Sequence, residues 1–139
     1  MTPVMTIDEL HALVERVFPQ VDGQFRIISL GEDSLSLRMH IDDSHLRPGG
    51  TISGPSMFAL ADCAFYLVTL AMIGPEALTV TTSCAIDFMR KPPPTDLIGD
   101  ARILKLGKSL SVGDVMIHAL DDTRPLARAS LTYSIPPRR

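Results

Sequence analysis

Hydrophobic and polar residues alternate along most of this chain, as they do in strands of a sheet with one buried face. In the clearest case Leu35, Leu37 and Met39 alternate with serine and arginine, which predicts a half-buried β-strand. An earlier strand begins at Phe25. The same period of two predicts four later strands, at 80–88, 97–106, 110–120 and 126–135. Polar turns at 107–109 and 121–124 connect the last three strands as hairpins.

Two segments have helical spacing instead. The first covers about residues 6–18 and opens with Thr6 and Glu9 at the spacing of a capping box. The second covers about residues 54–73 and is apolar on all sides, so it must be buried. Ser53 can cap this central helix through its hydroxyl, and a proline fits the first turn, where a missing N–H costs nothing.

Asp62 is the only charged residue of the central helix between Met57 and Ile73. A carboxylate among apolar residues is expensive unless it is paired, protonated or functional, so we place Asp62 at the centre of the chemistry. The helix approaches the length of a membrane span, but its Gly-Pro start, Asp62 and the surrounding strands argue against one. A helix buried under a sheet is the better interpretation.

The elements follow the order helix, two strands, long helix and four strands. This order predicts an α+β fold in which a mostly antiparallel sheet curls around one central helix. With 139 residues, the chain is expected to form a single domain over 1–139. A net charge of −3 and the lack of a basic stripe argue against nucleic-acid binding. A hydrophobic content of 45% predicts extra apolar surface that an oligomer interface would bury.

The N-terminus shows no sign of a secretory signal, because Asp8 and Glu9 stand where a basic region would be expected. Cys63 and Cys84 are expected to be buried free thiols. We therefore expect a cytoplasmic protein that does not enter a membrane. The segment 42–45 reads Asp-Asp-Ser-His, which matches no strong metal-ligand spacing, so it is interpreted as a polar turn and no metal is expected.

Five short sequence features are each weak evidence of function, but they are informative when they are taken together in the order in which they occur. They are Ser53-Gly54-Pro55, Asp62, the threonine-rich segment 79–82, Phe88-Met89-Arg90-Lys91-Pro92 and Gly107-Lys108. With these features the chain resembles the hotdog-fold thioesterases of the phenylacetate-degradation (PaaI-like) group, over about residues 25–136. The resemblance implies a hotdog fold and hydrolysis of an acyl-CoA thioester to a free acid and CoA. It implies no separate cofactor, because CoA is part of the substrate.

The resemblance also implies roles for three residues. The N–H of Gly54 would polarise the thioester carbonyl, which suits a helix N-terminus with unpaired N–H groups and a partial positive charge. Asp62 would be either the nucleophile or the general base that activates water. Thr81 aligns with a Ser/Thr that orients the water or the acid, with Thr79 in reserve. Strand alternation places Thr81 on the face opposite Cys84.

Helix geometry adds an independent constraint. Asp62 lies eight residues after Gly54, which corresponds to about 12 Å along the helix axis. A reacting group must lie about 3–3.5 Å from its target, so Asp62 cannot reach a carbonyl held at the start of its own helix. If the two residues form one site, it is shared between two chains across a two-fold axis. A homodimer is therefore expected, and the resemblance implies that dimers pair further into a homotetramer.

Three positions at the expected substrate-binding site depart from the family pattern. Ser53 stands in place of a histidine and is interpreted mainly as the helix cap. Pro55 replaces a second glycine and removes one N–H, which leaves Ser56 or Met57 as assisting donors. Arg47 can bind a CoA phosphate, bind a substrate carboxylate or only solvate a loop. These departures keep an alternative open, in which the protein binds acyl-CoA without turning it over.

Further substrate contacts are expected at both ends of the ligand. Four residues of the central helix can line an acyl pocket, although core packing or dimer contact is the simpler role: Met57, Phe58, Phe65 and Tyr66. Arg90, Lys91 and Lys108 stand at strand ends or turns, where they suit the phosphates of CoA. Solvated surface charge is an equally good interpretation of these three side chains.

Overall fold

The computed structural model describes residues 1–21 and 23–137, which form two α-helices and eight β-strands. The strands are β1 (Phe25–Gly31), β2 (Ser34–Met39), β3 (Leu46–Arg47), β4 (Thr51–Ile52), β5 (Val80–Phe88), β6 (Leu97–Leu106), β7 (Leu110–Ala119) and β8 (Asp122–Ser134). Six of them form one sheet in the order β1-β2-β6-β7-β8-β5. Each pairing within this sheet is antiparallel, and β3 and β4 form a separate small hairpin.

The two helices begin where the sequence predicts. Helix α1 (Ile7–Val17) has Thr6 as its N-cap, and Thr6 and Glu9 exchange the two hydrogen bonds of a capping box. Helix α2 (Gly54–Ile73) has Ser53 as its N-cap. It packs against β2, β5, β6, β7 and β8. The predicted α+β architecture, with an antiparallel sheet, one long central helix and a short N-terminal helix, is confirmed.

Helix α2 is buried as a core helix. It is long and apolar enough to cross a membrane, but 72% of its most apolar 18-residue window lies inside the protein. Phe65, near its middle, is fully buried and approaches the sheet closely at Gly113 on β7. A Cβ at position 113 would lie 2.5 Å from the Phe65 ring and 2.1 Å from the Arg102 carbonyl oxygen, so only glycine fits there.

Two connections differ from the prediction. Residues 42–45, interpreted as a polar turn, include a 3₁₀ turn (Asp43–His45), and the β3–β4 hairpin, which was not predicted, follows over residues 46–52. The His45 carbonyl accepts the N–H of Ser53 at 2.8 Å, which fixes this segment to the start of α2. The turn predicted at 121–124 is shorter, because Asp122 already pairs with Ala119 as the first residue of β8.

A β-bulge in β5 overturns the predicted face of Thr81. Thr81 pairs with Tyr133 on β8, but the next pair is Ser83 with Thr132, so one extra residue is inserted. Cys84 still packs against the core. Because the bulge shifts the alternation by one residue, Thr81 lies on the same inward face as Cys84 and reaches α2.

Candidate active site

Asp62 lies on α2 where the helix faces β5 and β8. Its Oδ1 accepts hydrogen bonds from the hydroxyls of Thr81 and Tyr133, each at 2.6 Å. The Tyr133 hydroxyl also lies 2.9 Å from the Asp62 carbonyl oxygen. Within the described chain, Oδ2 has no hydrogen-bond partner. One carboxylate oxygen is therefore held in place, and the other is available to a reactant.

The structure distinguishes between the two candidate threonines. The Thr81 hydroxyl donates to Asp62, whereas Thr79 lies just before β5 and is 3% exposed. The Thr79 Oγ1 is buried without a partner among the residues described. Thr81, and not Thr79, is therefore the threonine that is brought to the carboxylate.

Tyr133 is the contact that the sequence analysis missed. It lies on the inward face of β8, 2% exposed, with its ring 5.6 Å from that of Phe65. Burial, and then the charge of Asp62, raise the pKa of the Tyr133 hydroxyl well above its ordinary value, so it keeps its proton and donates. One feature of the sequence could have indicated this contact. Tyr133 stands at a core position of a strand whose other core positions are aliphatic, and a buried tyrosine hydroxyl needs a hydrogen-bond partner.

Asp62 opens onto an apolar cleft of about 400 Å³. Its walls come from α1 and the segment that follows it, from α2 and from the start of β5. They include Val14, Phe18, Phe25, Phe58 and Val80. The structure thus places Phe58 beside Asp62, as an acyl pocket requires. The contribution of α1 was not expected, because the sequence analysis assigned this helix no part in the site.

The start of α2 leaves one backbone donor without a partner. The N–H of Ser56 donates to the Ser53 hydroxyl at 3.3 Å, and that of Met57 to the Ser53 carbonyl at 3.2 Å. Pro55 has no N–H. Among the described residues, the first turn therefore leaves the N–H of Gly54 free for a ligand, whereas those of Ser56 and Met57 have partners within the turn. The predicted capping role of Ser53 is observed directly.

Gly54 borders a second cleft of about 670 Å³. The guanidinium groups of Arg47 and Arg90 and the Lys91 side chain line it, together with Met57 and Phe88. This cleft is therefore positively charged beside a free helix N-terminus, which favours an anionic ligand. Within one chain the clefts of Gly54 and Asp62 are distinct, in agreement with their separation of about 12 Å along the helix axis.

Three of the predicted contacts, Ser53, Pro55 and Lys108, lie outside the linings of both clefts. Pro55 is exposed on the first turn of α2. Lys108 is exposed in the β6–β7 hairpin, which lies at the same end of the sheet as the start of β5. Arg90 follows the last residue of β5 and therefore lies at the opposite end of the sheet. The structure therefore brings Arg47, Arg90 and Lys91 together and leaves Lys108 apart from them. Across the described ranges, no three His, Cys, Asp or Glu side chains converge as a metal site would require.

The chain is similar to known proteins in both sequence and fold. Residues 49–126 match the family model of the thioesterase superfamily. A proposed thioesterase of Silicibacter sp. TM1040, known from a crystal structure, is 51% identical, with a TM-score of 0.92 over 99% of this chain and 96% of that protein. The chain belongs to the thioesterase superfamily, and its class of activity is thioester hydrolysis.

More distant structures share the fold. Zebrafish thioesterase superfamily member 2 is 18% identical, with a TM-score of 0.81 over 95% of this chain and 99% of its own. A variant of the phenylacetic acid degradation protein PaaI from Thermus thermophilus is 20% identical, with a TM-score of 0.73 over 85% of this chain and 99% of its own. No curated protein sequence matches this chain significantly. The expected resemblance to the PaaI-like hotdog thioesterases is confirmed.

Proposed function

We propose that this protein hydrolyses acyl-CoA thioesters, with Asp62 as the reacting acid and the Gly54 N–H as the carbonyl donor. The observation that carries the proposal is the Asp62 carboxylate, held at Oδ1 by two hydroxyls and free at Oδ2 beside an apolar cleft. An acyl group in that cleft would bring its carbonyl carbon towards Oδ2.

Two routes lead to the same products. As a general base, Asp62 takes a proton from water, the hydroxide attacks the carbonyl carbon, and the oxyanion accepts from the Gly54 N–H. The C–S bond then breaks, the thiolate takes up a proton, and acid and CoA leave. As a nucleophile, Asp62 displaces CoA directly to form an anhydride, which water hydrolyses. Oxygen-18 from water entering Asp62 in a single turnover would identify the nucleophilic route.

Coenzyme A is the proposed thiol because of the charge beside Gly54. Arg47, Arg90 and Lys91 line the same cleft as the free N–H. A CoA thioester carries phosphates on the leaving-group side of the carbonyl, where these side chains could bind them. The polar, cationic cleft therefore suits the CoA portion, and the apolar cleft beside Asp62 suits the acyl portion.

The two halves of the site would come from two chains. Strand β5 is an edge of the described sheet, and it exposes Val80 (54%) and Phe88 (52%) next to Phe58 (39%) on α2. A long edge strand with exposed apolar side chains needs a cover. A second copy related by a two-fold axis would cover it and bring the partner's α2 antiparallel to this one, with Gly54 of the partner subunit near Asp62. Pairing of dimers into a tetramer remains part of this proposal.

The first test is release of free CoA from short, medium, long and aromatic acyl-CoAs by wild type and Asp62→Asn. We expect kcat to fall by about 100-fold or more, because the variant keeps the size of the side chain but loses the carboxylate. Asp114→Asn is the matched control, since it removes only an exposed ion pair to Arg102. Unchanged turnover in Asp62→Asn would refute the mechanism. Binding without turnover in wild type would favour the non-catalytic alternative.

Mixing two inactive variants tests the shared site. Gly54→Pro removes the free N–H. Because position 54 precedes Pro55 and a Cβ there would lie 3.3 Å from the Phe88 ring, the variant is used only after circular dichroism and its size show a folded oligomer. In a mixed dimer with Asp62→Asn, both substitutions fall in one site and the other site is intact. Random reassociation should restore about a quarter of wild-type activity. No recovery despite verified mixed dimers would show that each site belongs to one chain.

A further inference from the structure

We infer that Tyr133 is a positioning residue for Asp62, which fixes Oδ1 so that Oδ2 alone faces the reactant. This inference rests on the proposed function of Asp62. No part of the sequence pattern assigns Tyr133 a role. Its hydroxyl donates to the acid, and the residue also borders the apolar cleft.

The backbone brings the two hydroxyls to one oxygen. Thr81 and Tyr133 are direct cross-strand partners on β5 and β8. The bulge after Thr81 turns that side chain towards α2, the side to which alternation along β8 already directs Tyr133. Neighbouring side chains on one face of an antiparallel pair lie about 5 Å apart, so both can reach the same atom. A carboxylate anchored at one oxygen by two donors cannot rotate without losing both hydrogen bonds.

The Tyr133 ring is itself held firmly. Its centroid lies 5.6 Å from that of Phe65 and 6.2 Å from that of Tyr66, both on α2, in tilted contacts. The ring is 2% exposed. Because the ring packs on the same helix that carries Asp62, its hydroxyl is preorganised against the carboxylate before any substrate binds.

The charge balance around Asp62 makes these hydroxyls important. The other titratable groups on this side of the protein are the thiols of Cys63 on α2 and Cys84 on β5 and the hydroxyl of Tyr66, which lines the same cleft. Burial, and then the neighbouring Cys63, raise the pKa of Tyr66, so it is neutral. Burial, and then the Asp62 charge, raise the pKa of Cys63 to about 12 and also raise the pKa of Cys84, so both are neutral. No basic side chain of the described chain pairs with Asp62, and α1 faces this cleft with Val14 and Phe18. Thr81 and Tyr133 are thus the side-chain groups that stabilise the charged form.

Tyr133→Phe tests the inference, because it removes the hydroxyl and keeps the ring. We expect kcat to fall about 10- to 100-fold with little change in KM, and the acidic limb of the kcat–pH profile to move to higher pH, because a donor to the ionised form is lost. Thr69→Val is the control, since it loses a buried hydrogen bond to the Ser111 hydroxyl about two turns along α2 from Asp62, and its acidic limb should stay in place.

A second measurement applies even where Tyr133→Phe fails to fold. The chain has two tyrosines, so 3-fluorotyrosine incorporated into Tyr66→Phe labels position 133 alone. The fluorinated phenol is a more acidic donor, so the acidic limb should move to lower pH, opposite to the shift in Tyr133→Phe. The fluorine NMR signal reports in the same sample that the protein is folded.

The outcomes separate this inference from the proposed function. An acidic limb that stays in place in folded Tyr133→Phe and in the fluorinated protein would overturn the inference, even where Asp62→Asn abolishes turnover. Normal turnover in Asp62→Asn would instead refute the proposed function. Opposite shifts of the limb in the two modified proteins would support a positioning role, since a residue that only stabilises the fold would lower the melting temperature without moving the limb.

Discussion

Replacing Thr81 with valine removes one of the two donors to Asp62 Oδ1 while keeping the shape of the side chain. The hydrogen bond is 2.6 Å long and goes to a carboxylate. A hydrogen bond to a charged group contributes about 1.5–3 kcal/mol, which corresponds to about 10- to 150-fold in rate. Because Tyr133 still holds the same oxygen, we expect the lower part of that range, a loss of about 10- to 30-fold in kcat.

The assay is CoA release under saturating substrate, with Thr79→Val as the matched control. The Thr79 hydroxyl is buried without a partner in the described structure, so valine there removes an unsatisfied polar group. We expect Thr79→Val to lose less than about threefold in kcat and to melt a few degrees higher. A larger loss of kcat in Thr79→Val than in Thr81→Val would refute the assignment of Thr81 and return Thr79 to that role.

Two further predictions concern the apolar cleft and the stability of the fold. Phe18→Ala enlarges the apolar cleft at the end of α1 by removing an aromatic side chain from its wall. We expect kcat/KM for longer acyl chains to rise relative to wild type. An unchanged chain-length profile would contradict this prediction. Partial burial of Asp96 raises its pKa, but hydrogen bonds from Ile41, Arg38 and His40 outweigh burial and lower it overall. Above about pH 5, Asp96→Asn should therefore lower the unfolding free energy, measured by urea denaturation, by about 1–3 kcal/mol. The difference from wild type should vanish as the pH falls through the pKa of Asp96 in the folded protein. A difference that does not change with pH would refute this prediction.

The sequence identified the fold because its local patterns are strong and agree with one another. Each period-two strand has one apolar face to bury, and the central helix is apolar on all sides. A sheet that packs its apolar face against that one helix buries both. Asp62 stood out because a lone acid in such a helix is costly. Both inferences depend on residues that are near each other in the chain.

The missed features depend on pairing between distant segments. The bulge in β5 becomes visible only when Thr81 and Ser83 are matched to their partners on β8, so alternation alone put Thr81 on the wrong face. Tyr133 lies 71 residues from Asp62 in the chain, and its contact follows from the strand order β8-β5 beside α2. Strand order and register are tertiary properties, which a single sequence does not specify locally.

The two departures at the start of α2 act together on its backbone donors. Ser53 takes up the N–H of Ser56, and Pro55 contributes no N–H, so the first turn retains the free donor of Gly54 in the described structure. A helix N-terminus offers a ligand both its unpaired N–H groups and its partial positive charge, and neither substitution removes the charge. Replacing histidine and the second glycine therefore reduces the number of donors without eliminating the one nearest the cationic cleft. The Gly54→Pro variant is for this reason the most direct test at this end of the site, because it removes the remaining donor, and a helix content equal to that of wild type would show that the loss is local.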